Sequence, residues 1–117
     1  MASAKSNAVL IHPGETIYTR FELKGKKIIL VNFSKEMDAN AQVIFSFAPD
    51  AQKPRVFSLK VENKFPRDFT YKVEMRSLSK KQKANMPVTP VVAGKVAFEL
   101  FPSQVEQLAL NEFELAK

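Results

Sequence analysis

From Asp68 to Arg76 the chain reads DFTYKVEMR. Phe69, Tyr71, Val73 and Met75 fall on one parity; Asp68, Thr70, Lys72, Glu74 and Arg76 fall on the other. Alternation with a period of two belongs to a strand with one buried and one wet face, because a helix scatters such a set around its axis. The same rhythm recurs along the whole chain. It predicts strands over Ala8–Ile11, Thr16–Leu23, Ile28–Phe33, Gln42–Ala48, Arg55–Val61, Asp68–Arg76 and Lys95–Phe101, with Asn111–Ala116 closing. Ile28–Phe33 is apolar on both parities and reads as a central strand covered twice. Met86–Val92 carries Pro87 and Pro90, which suits an edge strand or an extended connection. Gln104–Leu110 fits a short helix or a strand, and Ser79–Asn85 (SKKQKAN) reads as a basic loop.

Turn signals separate these runs. His12-Pro13-Gly14-Glu15 suits a type II turn, with Pro setting φ at the first central position and Gly accepting positive φ at the second. Lys24-Gly25-Lys26-Lys27 is a hairpin turn, and Pro49-Asp50 and Pro102-Ser103 stop their strands. Roughly seven to nine short strands with turns about every 8–12 residues point to an antiparallel all-β sandwich. Its 117 residues suffice for one domain with one core. Residues 1–7 are expected to form a flexible tail.

Phe65-Pro66-Arg67-Asp68-Phe69-Thr70-Tyr71-Lys72-Val73 resembles the tyrosine corner of immunoglobulin-like and fibronectin type III domains. There an apolar-Pro turn leads into a strand whose Tyr packs under the sheet crossing and caps a loop with its hydroxyl. The resemblance implies an immunoglobulin-like Greek-key sandwich; a jelly roll is the alternative. The antibody cysteine pair and core Trp are absent, since the chain has no Cys and no Trp. The set Asn63, Tyr71, Pro87-Val88, Pro90-Val91, Glu99, Phe101-Pro102, Leu110 and Phe113-Glu114-Leu115 is also similar to uncharacterised small exported bacterial domains. That likeness implies no activity.

Without cysteine there is no disulfide, thiolate nucleophile or thiolate-bound metal. No cofactor is expected: Gly14, Gly25 and Gly94 are isolated and form no phosphate-cradling loop. His12 is the sole histidine, and no glycine-flanked serine elbow accompanies it, so a turn histidine is favoured over a catalytic base. The acid pairs Glu36/Asp38 and Glu112/Glu114 lack the spacing of a calcium loop and read as solvated faces. The chain is therefore expected to be non-catalytic.

Charge is unevenly placed. Residues 53–83 hold ten Lys or Arg against Glu62, Asp68 and Glu74, while residues 98–117 hold four Glu against Lys117. Lys60, Lys72, Arg76, Lys80, Lys81 and Lys83 form a candidate anion-binding patch for a nucleic acid, glycan or lipid surface. The aromatics nearby share the apolar parity and belong to the core, which disfavours nucleic acid. The favoured partner is another protein, or another component of the cell envelope, met through an exposed strand edge, with the C-terminal strand preferred over Met86–Val92. No apolar run reaches the length of a membrane-spanning helix. Residues 2–8 (ASAKSNA) have no apolar leader and resemble the start of a mature periplasmic or secreted chain, with a cytoplasmic protein as the alternative.

Overall fold

The computed structural model describes residues 8–25, 27–50, 52, 56–77, 82–87, 90–102 and 105–116, with side chains at 76–77, 82–87 and 102 outside the description. The expected tail, residues 1–7, lies outside it too. The regular structure is β1 (Val9–Ile11), β2 (Glu15–Lys24), β3 (Lys27–Ser34), β4 (Val43–Pro49), β5 (Val56–Asn63), β6 (Phe69–Ser77), β7 (Gln82–Pro87), β8 (Val96–Pro102) and β9 (Gln107–Leu115). Pairing is antiparallel in the order β7-β6-β9-β3-β2-β4-β5-β8, with β1 also beside β9. The all-β antiparallel expectation holds.

The sheet has a narrow waist. Among the described residues β3 and β9 meet at one register pair, Lys27 with Glu114. The sheet curls, so that rings from its two arms meet inside. Phe21 of β2 lies 5.0 Å from Phe113 of β9, and Phe45 of β4 lies 6.1 Å from both Phe113 and Tyr71 of β6. Tilted and edge-on ring contacts at these spacings add to plain burial. Ile17, Val43, Phe45, Phe47, Leu59, Val61 and Val73 fill the rest of the interior at full or near-full burial.

Two bulges explain where simple alternation breaks. In β3, Arg20 pairs with Asn32 and Phe21 with Leu30, so Val31 is an extra residue. Ile28 and Leu30 face inward before it, Phe33 packs against the core after it, and Val31 stays half exposed. The apolar run Ile28–Phe33 is thus a change of parity, not a strand covered on both faces. In β9, Thr70 pairs with Glu114 and Lys72 with Asn111, leaving Glu112 and Phe113 opposite Tyr71. Glu112 adopts φ 51° there, the left-handed position of such a bulge. The extra residue lets Leu108 and Leu110 face inward before it and Phe113 after it. Gln107–Leu110 and Asn111–Leu115 therefore form one strand, which ends the helix alternative for the described part of Gln104–Leu110, Gln104 itself lying outside the described residues.

The turns behave as their residues require. Gly14 has φ 89°, and Glu15 N–H donates to the His12 carbonyl at 3.1 Å, as in a type II turn. The expected loop Ser79–Asn85 is partly strand, because β7 extends from Gln82 opposite Ser77 to Pro87 opposite Lys72. A terminal Pro costs that ladder little.

At the corner before β6, Asn63 and not Tyr71 supplies the capping bonds. Asn63 is buried; its Nδ2 donates to the carbonyls of Arg67 and Val91, and its Oδ1 accepts from Phe65 N–H. The Tyr71 hydroxyl is buried and has no hydrogen-bond partner among the described residues. The bond that defines a tyrosine corner is therefore not among those the described residues make, although the ring packs among Phe45, Phe69 and Phe113.

Candidate functional site

Strand β8 inverts the pattern its sequence suggests. Val96, Phe98 and Leu100 share one parity, and as three large apolar residues they would ordinarily face inward. They instead stand in solvent at 44%, 61% and 48% exposure. The register with β5 is the cause. Leu59, fully buried, pairs with Glu99, while the exposed Lys60 pairs with Phe98. Residues directly opposite share a face, so Ala97, Glu99 and Phe101 turn inward. Asn63 N–H donates to the Lys95 carbonyl, and Gly94 N–H, at φ 75°, donates to the Asn63 carbonyl. This turn pins the register; a slip of one residue would exchange the two faces.

β8 is also the last strand in the order of pairing. Among the described residues its outer edge has no partner strand, which leaves backbone groups beside the apolar row. The C-terminal strand, preferred from the sequence as the docking edge, is instead interior: β9 is flanked by β6 on one side and by β1 and β3 on the other. The edges of the described sheet are β7 and β8.

Glu99 lies half-buried on the inner face of β8 and takes part in none of the ion pairs among the described residues. Among the described residues the buried Tyr71 hydroxyl has no hydrogen-bond partner. Burial pushes that phenol well above its usual range, and the nearby Glu99 carboxylate adds to the effect.

Of the six basic positions, the structure describes the side chains of Lys60 and Lys72. Lys60 is on β5, separated from β6 by β4, β2, β3 and β9 along the sheet. Lys72 is exposed and pairs with Glu112 at 3.3 Å. Register places Arg76 opposite Lys83 on the β6–β7 hairpin, while Lys80 and Lys81 lie outside the described residues.

His12 is tied into a polar cluster. Its backbone N–H and ring Nδ1 contact Glu15 Oε1 at 2.7 and 3.1 Å, Lys35 Nζ reaches Glu15 Oε2 at 2.6 Å, and Gln107 Nε2 meets His12 Nε2 at 3.2 Å. With the Gln107 amide donating to Nε2, Nδ1 carries the proton it gives Glu15. Burial alone would raise the Glu15 pKa, but Lys35 and the His12 donors outweigh it and hold the carboxyl at about 2. A shallow concavity of about 380 Å³ adjoins the cluster, lined by Gly14, Glu15, Thr16, Tyr18, Lys35 and Met37. Nδ1 and Nε2 are both engaged, so His12 braces the β1–β2 turn against β9. Of the acid pairs, Asp38 is held by a two-pronged contact from Arg20 at 2.7 and 2.8 Å, and Glu112 by Lys72.

Among the described residues, no helix is long and apolar enough to cross a membrane. No protein-family model matches the chain, and no curated protein or solved structure is significantly similar to it.

Proposed function

We propose that this chain is a non-catalytic interaction module that binds a protein partner along β8. The observation that carries the reading is the row Val96, Phe98 and Leu100, held in solvent on a strand whose outer edge has no neighbour among the described residues. Solvating three large apolar side chains while turning a glutamate inward breaks the local rule of strand patterning. Such violations belong at functional sites, where a surface is kept for a partner. Strand addition would use both features: backbone groups of the edge give affinity, and the apolar row selects side chains.

An immunoglobulin-like Greek-key sandwich of a bacterial periplasmic or secreted protein is the setting we propose. It is supported by the antiparallel all-β pairing and by the packing of the Tyr71 ring among Phe45, Phe69 and Phe113. The anionic-polymer reading has less support, since Lys72 is paired with Glu112.

Photocrosslinking tests the proposal. A Phe98→benzoylphenylalanine variant, irradiated in extract of the source cells, is expected to give one discrete adduct that disappears when Leu100→Ser is added. The same probe at Val31, half exposed on β3, is expected to give none. No adduct at position 98, or one identical adduct from both positions, would overturn the reading.

A further inference from the structure

The inner face of β8 says what kind of segment can dock there, given the reading of β8 as a docking edge. A strand added to this edge covers Glu99, which now reaches solvent past the rim. The covered carboxylate would lose water without gaining a partner, since none of the ion pairs among the described residues involves it. Leaving a charge buried and unpaired is costly, and a cation placed against it removes that cost.

A second copy of the chain meets the opposite difficulty. Antiparallel pairing of two β8 strands about Phe98 sets Ala97 of one copy against Glu99 of the other, and the two Glu99 residues become diagonal neighbours on one face. Centring the pairing on Glu99 sets them directly opposite. Like charges in such positions repel, and the inward glutamate then acts as a guard against self-pairing of the edge.

We infer that β8 receives an extended peptide segment carrying apolar residues that continue the Val96–Phe98–Leu100 row and, on the alternate parity, a lysine or arginine seated against Glu99. The chain's net charge of +6 repels a cationic peptide at long range, so a preference for a basic residue has to arise locally.

Three peptides test this against the full-length, isotope-labelled protein: VTFKFTV, VTFQFTV and VTFEFTV. Backbone amide shifts report where each binds, and titration gives its Kd. The expected result is shifts centred on β8 and β5, with the lysine peptide roughly tenfold tighter than the glutamine peptide and the glutamate peptide weakest. In a Glu99→Gln variant with a native amide spectrum, the lysine and glutamine peptides are expected to bind within about twofold of each other. Equal binding of all three peptides at β8 would overturn the basic-residue inference and leave the docking edge standing. No shift at β8 with any peptide would overturn both. A concentration-dependent dimer whose shifts map to β8 would show a second copy as the occupant and overturn the inference.

Discussion

The side-chain amide of Asn63 donates to the carbonyl of Val91 at 3.2 Å, joining the end of β5 to the segment that bridges Phe69. The same side chain holds Arg67 and Phe65, and its backbone holds Gly94 and Lys95. One buried residue therefore secures both the entry to β6 and the register of β8. Asn63→Ala leaves the buried Phe65 N–H unpaired and removes the side-chain bonds to the Arg67 and Val91 carbonyls, and is expected to cost about 1–3 kcal/mol in urea unfolding. Asn63→Asp keeps the acceptor but loses both donors and is also expected to be destabilised. A loss below about 1 kcal/mol for Asn63→Ala would show that the corner does not depend on it.

Tyr71→Phe separates the observed corner from the one its sequence resembles. The hydroxyl is buried and unpartnered, so removing it is expected to leave stability unchanged or raise it by up to about 1 kcal/mol. A capping hydroxyl would instead show a clear loss in the same thermal or urea measurement.

Glu112 occupies the left-handed region without being glycine. Substitutions to Gly and to Ala both delete its exposed ion pair with Lys72, which isolates the backbone term. Glu112→Gly is expected to be more stable than Glu112→Ala by about 1 kcal/mol, the reverse of their order in an ordinary strand. Equal stabilities would mean that the bulge relaxes at no cost.

The carboxyl of Glu15, held at about 2 against an ordinary 4.5, makes stability pH-dependent. Its folded pKa lies below its unfolded one, so its contribution is complete above about pH 4.5 and is lost as pH falls toward 2. After discount for solvent screening it is about 1–2 kcal/mol. Asp38, lowered chiefly by its contact with Arg20, loses stability in the same direction as it is protonated. Urea midpoints between pH 5 and 2 are expected to fall less steeply in Glu15→Gln than in the parent chain. Equal slopes would remove Glu15 as the source.

Much of the fold was legible because alternation is a direct record of burial. β6 shows it best: Phe69, Tyr71 and Val73 lie inside as their parity requires. Where reading failed, a single inserted residue was responsible. Val31 and the Glu112–Phe113 pair each shift parity within one strand, and no local residue type announces them: neither is Gly or Pro. The docking surface was hidden for a related reason. Composition alone would place Val96, Phe98 and Leu100 in the core; their exposure follows from bonds that Asn63 makes more than thirty positions earlier. The interior place of β9 was equally invisible, because it depends on which distant strands close around it.

That central place gives the order of synthesis a consequence. β1 leaves the ribosome early, yet the residues it pairs with, Leu108 to Leu110, are made about a hundred positions later. While 107–115 are still in the exit tunnel, β1 lacks its partner strand and β6 lacks one of its two neighbours, so the phenylalanines between them stay uncovered. Until β9 slides into the gap, the growing chain carries uncovered rings and unpaired strand edges, the condition in which a polypeptide associates wrongly most readily.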